Sequence, residues 1–242
     1  MNLVVDIGNT LIKYAVFDRG EILLLETSEP DDFLKTVKAL FKNHQKINHA
    51  IVSSVGGDEH KAFEVLSLFC QVHQLSHQTK TPFKNSYATP QTLGVDRIAL
   101  ATAAFYHNPN GNTLVVDAGT CVTYDMVNDY AEYLGGAISP GLEMRYRALH
   151  EHTAGLPLLS PKEILDFIGN TTESSIHSGV VNGMVQEIDG VIDQYRKRFK
   201  HLTVILTGGD AHFFAKSLKN TIFANPKFLL VGLNHLLEYN KR

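Results

Sequence analysis

The sequence predicts an α/β fold made of two similar lobes, each a mixed β-sheet flanked by helices. Three observations lead there. Leu114-Val115-Val116-Asp117-Ala118-Gly119 repeats Leu3-Val4-Val5-Asp6-Ile7-Gly8 with five of the six residues identical. Each copy is followed by a strand–turn–strand pattern, and each half then continues into helix and a further buried strand. Any apolar strand ending in Asp-x-Gly could produce the six-residue echo alone; the matched hairpins make it a repeat.

In the first half, Asn2 to Val5 is an apolar strand, Leu11 to Phe17 a second, and Ile22 to Leu25 a third after the turn Asp18-Arg19-Gly20. Phe33, Val37, Leu40 and Phe41 fall at helical spacing behind Pro30-Asp31-Asp32, so residues 31–43 read as a helix. His49 to Ser54 is a buried strand, Glu59 to Phe69 a helix, and Thr79 to Pro90 a polar loop. The alanine-rich stretch Asp96 to Tyr106 is helical until Asn108-Pro109-Asn110-Gly111-Asn112 breaks it. That break divides the chain into an N-terminal lobe, 1–110, and a C-terminal lobe, 111–242, and is a candidate hinge. In the second half Val122 to Met126 and Tyr133 to Ile138 are strands about the Asn128-Asp129 turn. Helices are expected near 161–168, 172–199 and 231–239, with a strand at Leu202 to Leu206.

Composition narrows the function. Of 242 residues 44% are hydrophobic and 19% charged, enough apolar material for buried cores. A net charge of −3 provides no basic field for nucleic acid or anionic lipid. Cys70 and Cys121 are too few for a disulfide framework, which suits a reducing compartment. No apolar run approaches the roughly 20 residues of a membrane span. A soluble, cytoplasmic protein is expected. The histidine pairs His73/His77 and His150/His152 lack the further ligands of a zinc site. A glycine-rich P-loop and a Ser-His-Asp arrangement are likewise not apparent.

The two Asp-x-Gly turns carry the chemistry. Gly8 and Gly119 let backbone amides approach phosphate oxygens, and Asn9, Thr10, Thr120 and Thr123 add neutral donors. Asp6 and Asp117 are hard oxygen ligands suited to Mg²⁺, directly or through water. Lys13 would add a positive charge if its strand aims it at the phosphates. Thr207-Gly208-Gly209-Asp210-Ala211 follows a buried strand, and its paired glycines Gly208 and Gly209 permit a flat base and ribose to pack on the main chain. A twofold-repeated lobe with such turns resembles the actin, hexokinase and heat-shock ATPase superfamily, of ribonuclease H-like type. That resemblance implies two acidic turns facing one another across a nucleotide cleft.

Almost end to end, the chain resembles the type III pantothenate kinases. The likeness rests on DIGNTLIK (Asp6 to Lys13), GVDR (Gly94, Val95, Asp96, Arg97), DAGTCVTYD (Asp117 to Asp125), GGAISPG (Gly135 to Gly141), TAGLP (Thr153 to Pro157) and TGGDA (Thr207 to Ala211). It implies ATP-dependent phosphorylation of pantothenate, the first step of coenzyme A biosynthesis. Asp96 would then be the base for the substrate hydroxyl, with Tyr87, Gly94, Val95, Arg97 and Thr172 binding pantothenate. Thr172, or Thr171 beside it, would act on the site of a partner subunit in a homodimer. Asp125 would hold a monovalent cation, K⁺ or NH4⁺. Cys121 stands where relatives commonly have alanine, and Arg145 and Arg147 read as surface residues. Two other readings keep the fold: a catalytically silent accessory factor, and a kinase for another small hydroxyl or carboxylate. The retained Asp96, Arg97 and both phosphate turns argue against the first, and GVDR with Tyr87 against the second.

Overall fold

The expected repeat is present as strand order. A computed structural model describes residues 1–8, 11–54, 59–163 and 166–241, with backbone alone at 59 and 60. The chain forms two compact units, Met1–His107 with Phe228–Arg242, and Asn108–Lys227.

In the first unit β1 (Asn2–Ile7), β2 (Ile12–Asp18) and β3 (Glu21–Ser28) form an antiparallel meander, and β4 (His49–Ser54) and β5 (Gln71–Gln74) add parallel strands on the other side of β1. The order is β3-β2-β1-β4-β5. One sheet face presents Leu3, Val5, Tyr14, Val16, Ala50 and Val52 to α1 (Phe33–Asn43) and α2 (Glu59–Ser67), closing a core with Val37, Leu40 and Leu66. Apolar side chains at period 2 in the strands and about 3.6 in α1 produce this packing. A two-residue strand, β6 (Lys84–Asn85), lies in the loop before α3 (Val95–His107).

The opposite sheet face, bearing Asn2, Val4 and Asp6, is covered by α3 and by the last helix. Asn2 Nδ2 donates to Asn234 Oδ1 at 2.7 Å and to Glu238 Oε1 at 2.6 Å. These contacts correct the expected domain limits. The first unit breaks off after His107, and residues 228–242 return to it rather than completing the second.

The second unit repeats the plan with β7 (Thr113–Ala118), β8 (Cys121–Val127), β9 (Glu132–Pro140), β10 (Thr203–Thr207) and β11 (Phe223–Ala224), ordered β9-β8-β7-β10-β11. Its core joins Leu114, Val116, Tyr124 and Leu206 to Tyr146, Met184, Ile188 and Phe214. The helices differ in part from expectation. α4 (Leu142–Glu151) was not anticipated, although Leu142 and Tyr146 lie one turn apart and are both buried. The stretch 172–199 is α5 (Thr172–His177), a π-helical segment Ser178–Asn182, and α6 (Gly183–Arg198). A short α7 (Ala211–Phe214) follows β10, and α8 (Phe228–Asn240) is the helix that returns to the first unit. The described part of 161–168 is not helical. Phe167 and Ile168 are 75% and 76% exposed, so the apolar face that suggested a helix has nothing to pack against.

Arg145 is also corrected. Its guanidinium donates to the Pro140 carbonyl at 2.9 Å and Ser139 Oγ at 3.1 Å, and pairs with Glu187 at 2.7 Å, bracing the end of β9 against α6. Arg147 is exposed, as expected.

Candidate active site

Asp6 ends β1, paired across the sheet with Lys13 on β2 and Ser53 on β4. Cross-strand partners share a face, so these three side chains stand together on the side covered by α3 and α8. Gly8 follows, its amide donating to the Leu11 carbonyl at 3.2 Å. Asn9 and Thr10 lie outside the described residues. Burial raises the Asp6 pKa from an ordinary 3.8 to about 6; Lys13 opposes the shift, Asp96 adds to it, and the Ser53 hydroxyl lowers it again. Asp96 is thus within electrostatic reach of the first acidic turn.

Asp96 occupies the first turn of α3, where its Oδ1 accepts the Arg97 amide at 2.9 Å. This amide belongs to the helix's first turn, so the carboxylate takes part in capping. A Cβ on Gly94 would collide with Asp96 Oδ1, which explains a glycine one position before Val95. Arg97 is buried at 4% exposure with its guanidinium carbon 5.8 Å from the Tyr87 ring centroid. Tyr87, Gly94, Val95, Asp96 and Arg97 therefore form one neighbourhood. A guanidinium against an aromatic face keeps its fork geometry for a carboxylate.

The second unit carries the corresponding turn. Asp117 pairs with Thr123 on β8 and Thr207 on β10, and the Gly119 amide donates to the Cys121 carbonyl at 3.0 Å. Thr123 thus takes the cross-strand place that Lys13 holds in the first unit. Gly208 has φ +97°, and a Cβ there would run into the Ala118 carbonyl and Asp117 Oδ1, so the TGGDA turn lies directly on the DAG turn. Gly209 has open space around it, and the Asp210 amide donates to the Ala118 carbonyl at 2.9 Å. Gly141 is packed as tightly onto the Gly119 and Thr120 carbonyls.

Asp125 is completely buried. Tyr133 Oη donates to its Oδ1 at 2.7 Å and Thr123 Oγ1 to its Oδ2 at 2.9 Å. Thr123 therefore spends its proton on Asp125.

Thr171 caps α5: its Oγ1 accepts the Ser174 amide at 3.1 Å, and Ser174 Oγ accepts the Thr171 amide in return. Thr172, next along, is exposed on a groove of about 1220 Å³ between α4 and α5 that Arg145, Leu149 and Val180 also line. Among the described residues no group of three His, Cys, Asp or Glu side chains is placed to hold a metal ion. His73 bonds Thr79 Oγ1 at 3.1 Å, and His150 bonds the Leu156 carbonyl at 2.8 Å. No described helix is long and apolar enough to cross a membrane.

The residue missed in the sequence is Ser53. A polar pair, Ser53-Ser54, closing an apolar strand was its signal, and register with Asp6 gives it meaning.

Five strands in the same order in each unit, with an acidic glycine turn at the end of the central one, define the class: an actin-like ATPase fold. A glucokinase of the ROK family from Streptomyces griseus, solved with glucose and AMPPNP, superimposes with TM-score 0.53 at 11% identity, with 99% of each chain covered. A Campylobacter jejuni protein placed in the Baf family of transcriptional activators gives 0.66 at 23%, over 98% of each. At such identities the likeness is one of fold. Sequence is more specific, and the chain belongs to the type III pantothenate kinase family, whose profile matches residues 2–194. It is 48% identical to the type III pantothenate kinase of Flavobacterium johnsoniae over 99% of this chain and 98% of that one. With that of Christiangramia forsetii it shares 48% over 100% and 99%.

Proposed function

We propose a division of labour among these residues for the reaction that family membership defines, ATP-dependent phosphorylation of pantothenate to 4′-phosphopantothenate in coenzyme A biosynthesis. The observation that carries it is the Asp96 neighbourhood. One carboxylate oxygen is held by the Arg97 amide, the buried Arg97 faces Tyr87, and Asp6 is within electrostatic range.

In this reading Arg97 and Tyr87 hold the pantothenate carboxylate and polar groups, which sets the attacking hydroxyl against Asp96 Oδ2. As the new O–P bond forms and the bond from the γ-phosphorus to ADP breaks, the hydroxyl proton passes to Asp96. A weak base suffices, because phosphoryl transfer is loose and positioning matters more than basicity. Gly8 and Gly119, whose own amides close their turns, keep side chains out of the way of the phosphates, and Asn9, Thr10, Thr120 and Lys13 bind the phosphate oxygens. Gly208 and Gly209 admit the adenosine.

A kinase uses ATP with a divalent metal. Here Asp6 and Asp117 would hold Mg²⁺, directly or through water, and the ion neutralises phosphate charge. The donor set fits, since Asp6 is a half-buried carboxylate with a second one, Asp96, in electrostatic reach, and Mg²⁺ needs only one or two carboxylates beside the phosphates. Asp125 would hold K⁺ or NH4⁺. Its oxygens accept from two neutral hydroxyls, Tyr133 Oη and Thr123 Oγ1. Thr172 would serve the site of a second copy, because Thr171 is committed to its cap. A cytoplasmic location completes the reading.

The test is ADP release in potassium buffer with pantothenate, sugars and short acids as acceptors. Pantothenate alone should support turnover, and sodium-only buffer should abolish it. Asp96→Asn should lower kcat by about 10²–10⁴-fold while pantothenate binding persists. Turnover on a sugar would overturn the acceptor assignment, and near-normal D96N turnover the role of Asp96.

A further inference from the structure

Ser53 stands apart from the other polar residues of the first unit. It is wholly buried, and its Oγ is the one buried side-chain polar atom among the described residues with no partner at full hydrogen-bond geometry, although it stands near enough to the Asp6 carboxylate to lower that group's pKa. A buried hydroxyl without a well-formed hydrogen bond is destabilising where apolar packing is the alternative, so a purely structural position would favour alanine. Its place gives the hydroxyl a use. Ser53 is the direct cross-strand partner of Asp6 in a parallel pair, so both side chains rise from the same sheet face. The neighbours on that face are Val4 and Ile51, which offer no acceptor, while Lys13 brings only donors. Asp6 is the acceptor that stands directly across the strand pair from it.

We propose that Ser53 is a positioning residue for the first acidic turn: its hydroxyl donates to the Asp6 carboxylate and fixes the rotamer in which that carboxylate meets the nucleotide-bound divalent cation. The inference rests on the reading of Asp6 as a cation ligand. Partners of this kind fix a ligand's orientation, and their loss commonly weakens metal affinity 10–100-fold. Two features favour this role over a chance polar residue. Among the described residues the cross-strand partner on the other flank of Asp6 is Lys13, whose side chain is exposed, whereas the Ser53 hydroxyl is buried beside the carboxylate. Moreover, Ser53 sits at the carboxyl end of β4, the strand end where open α/β sheets bind ligands.

The experiment measures Mn²⁺ binding to the protein–ADP complex at pH 8 by loss of the free-ion electron paramagnetic resonance signal, for wild type, Ser53→Ala, Ser53→Thr and Asp6→Asn. S53A should bind Mn²⁺ about tenfold more weakly with an unchanged thermal midpoint. S53T, which keeps the hydroxyl, should recover most of the affinity. Wild-type affinity in S53A overturns the proposal, as does failure of S53T to recover it in a protein that melts normally. If D6N binds Mn²⁺ as wild type does, the reading of Asp6 itself fails; if D6N is weakened and S53A is not, only the role of Ser53 fails. Should S53A melt early, the comparison of S53T with D6N decides by the same criteria.

Discussion

Asp6 is held at odds with its own charge. Its sequence context, the end of an apolar strand, already implies burial, and burial is the main reason its pKa rises from 3.8 to about 6. A carboxylate whose folded pKa is raised stabilises the fold in its neutral form. The contribution is complete below about pH 4 and is lost as pH climbs through about 6. Asp6→Asn removes the penalty. In denaturant titrations without nucleotide, D6N and wild type should coincide near pH 4, and D6N should be more stable by on the order of 2 kcal/mol at pH 8. A gap that is the same at both pH values would show that Asp6 ionises without strain. Residues of this kind were legible as candidates where a motif named them, as with Asp6, Asp117, Asp96 and Gly208. Ser53 was not, because its importance comes from strand register, and register emerges only when two strands 46 residues apart pair.

At the scale of elements, α3 and α8 illustrate how a small-residue pattern decides packing. The alanines of α3 let α8 approach until Gly232 lies against the Ala99 carbonyl and within 3.2 Å, for a built Cβ, of the Ala103 side chain. Nothing larger than glycine fits without moving a helix. Gly232→Ala should therefore destabilise the protein by about 1–3 kcal/mol through overpacking, even though alanine is the better helix former. Chemical denaturation measures it, and a stabilised variant would mean that the helices can part freely. The sequence showed both helices but not their partnership, since an almost wholly apolar helix like α8 carries no face to say which sheet it covers. For the same reason residues 228–242 were assigned to the wrong unit. α4 was overlooked for a different reason: its charged residues Glu143, Arg145 and Arg147 mask a narrow apolar stripe. Once α4 is in place, Arg145 is explained as the brace from Pro140 to Glu187.

For the whole molecule, the repeat of three strands, helix and strand was legible in the sequence, whereas the fifth strands, β5 and β11, were not, because four and two residues are too short to show a pattern. Assembly does not follow so directly, yet the structure sharpens its test. Phe167, Ile168 and Leu158 are exposed on the segment beside the groove, and Thr172 presents a hydroxyl that Thr171, tied up in its capping box, does not. If Thr172 completes the site of a second copy, light scattering should give a dimer mass, and two inactive variants should rescue each other. D96N lacks the base, whereas Thr172→Ala lacks the donated hydroxyl. In a mixed dimer one site combines Asp96 of one chain with Thr172 of the other and is intact, while the opposite site carries both defects. Random pairing of co-expressed chains makes half the dimers mixed, so activity should return to about a quarter of wild type. Recovery is the signature of action in trans. If the co-expressed mixture shows no more than the mean of the two variants alone, Thr172 acts within its own chain or not at all.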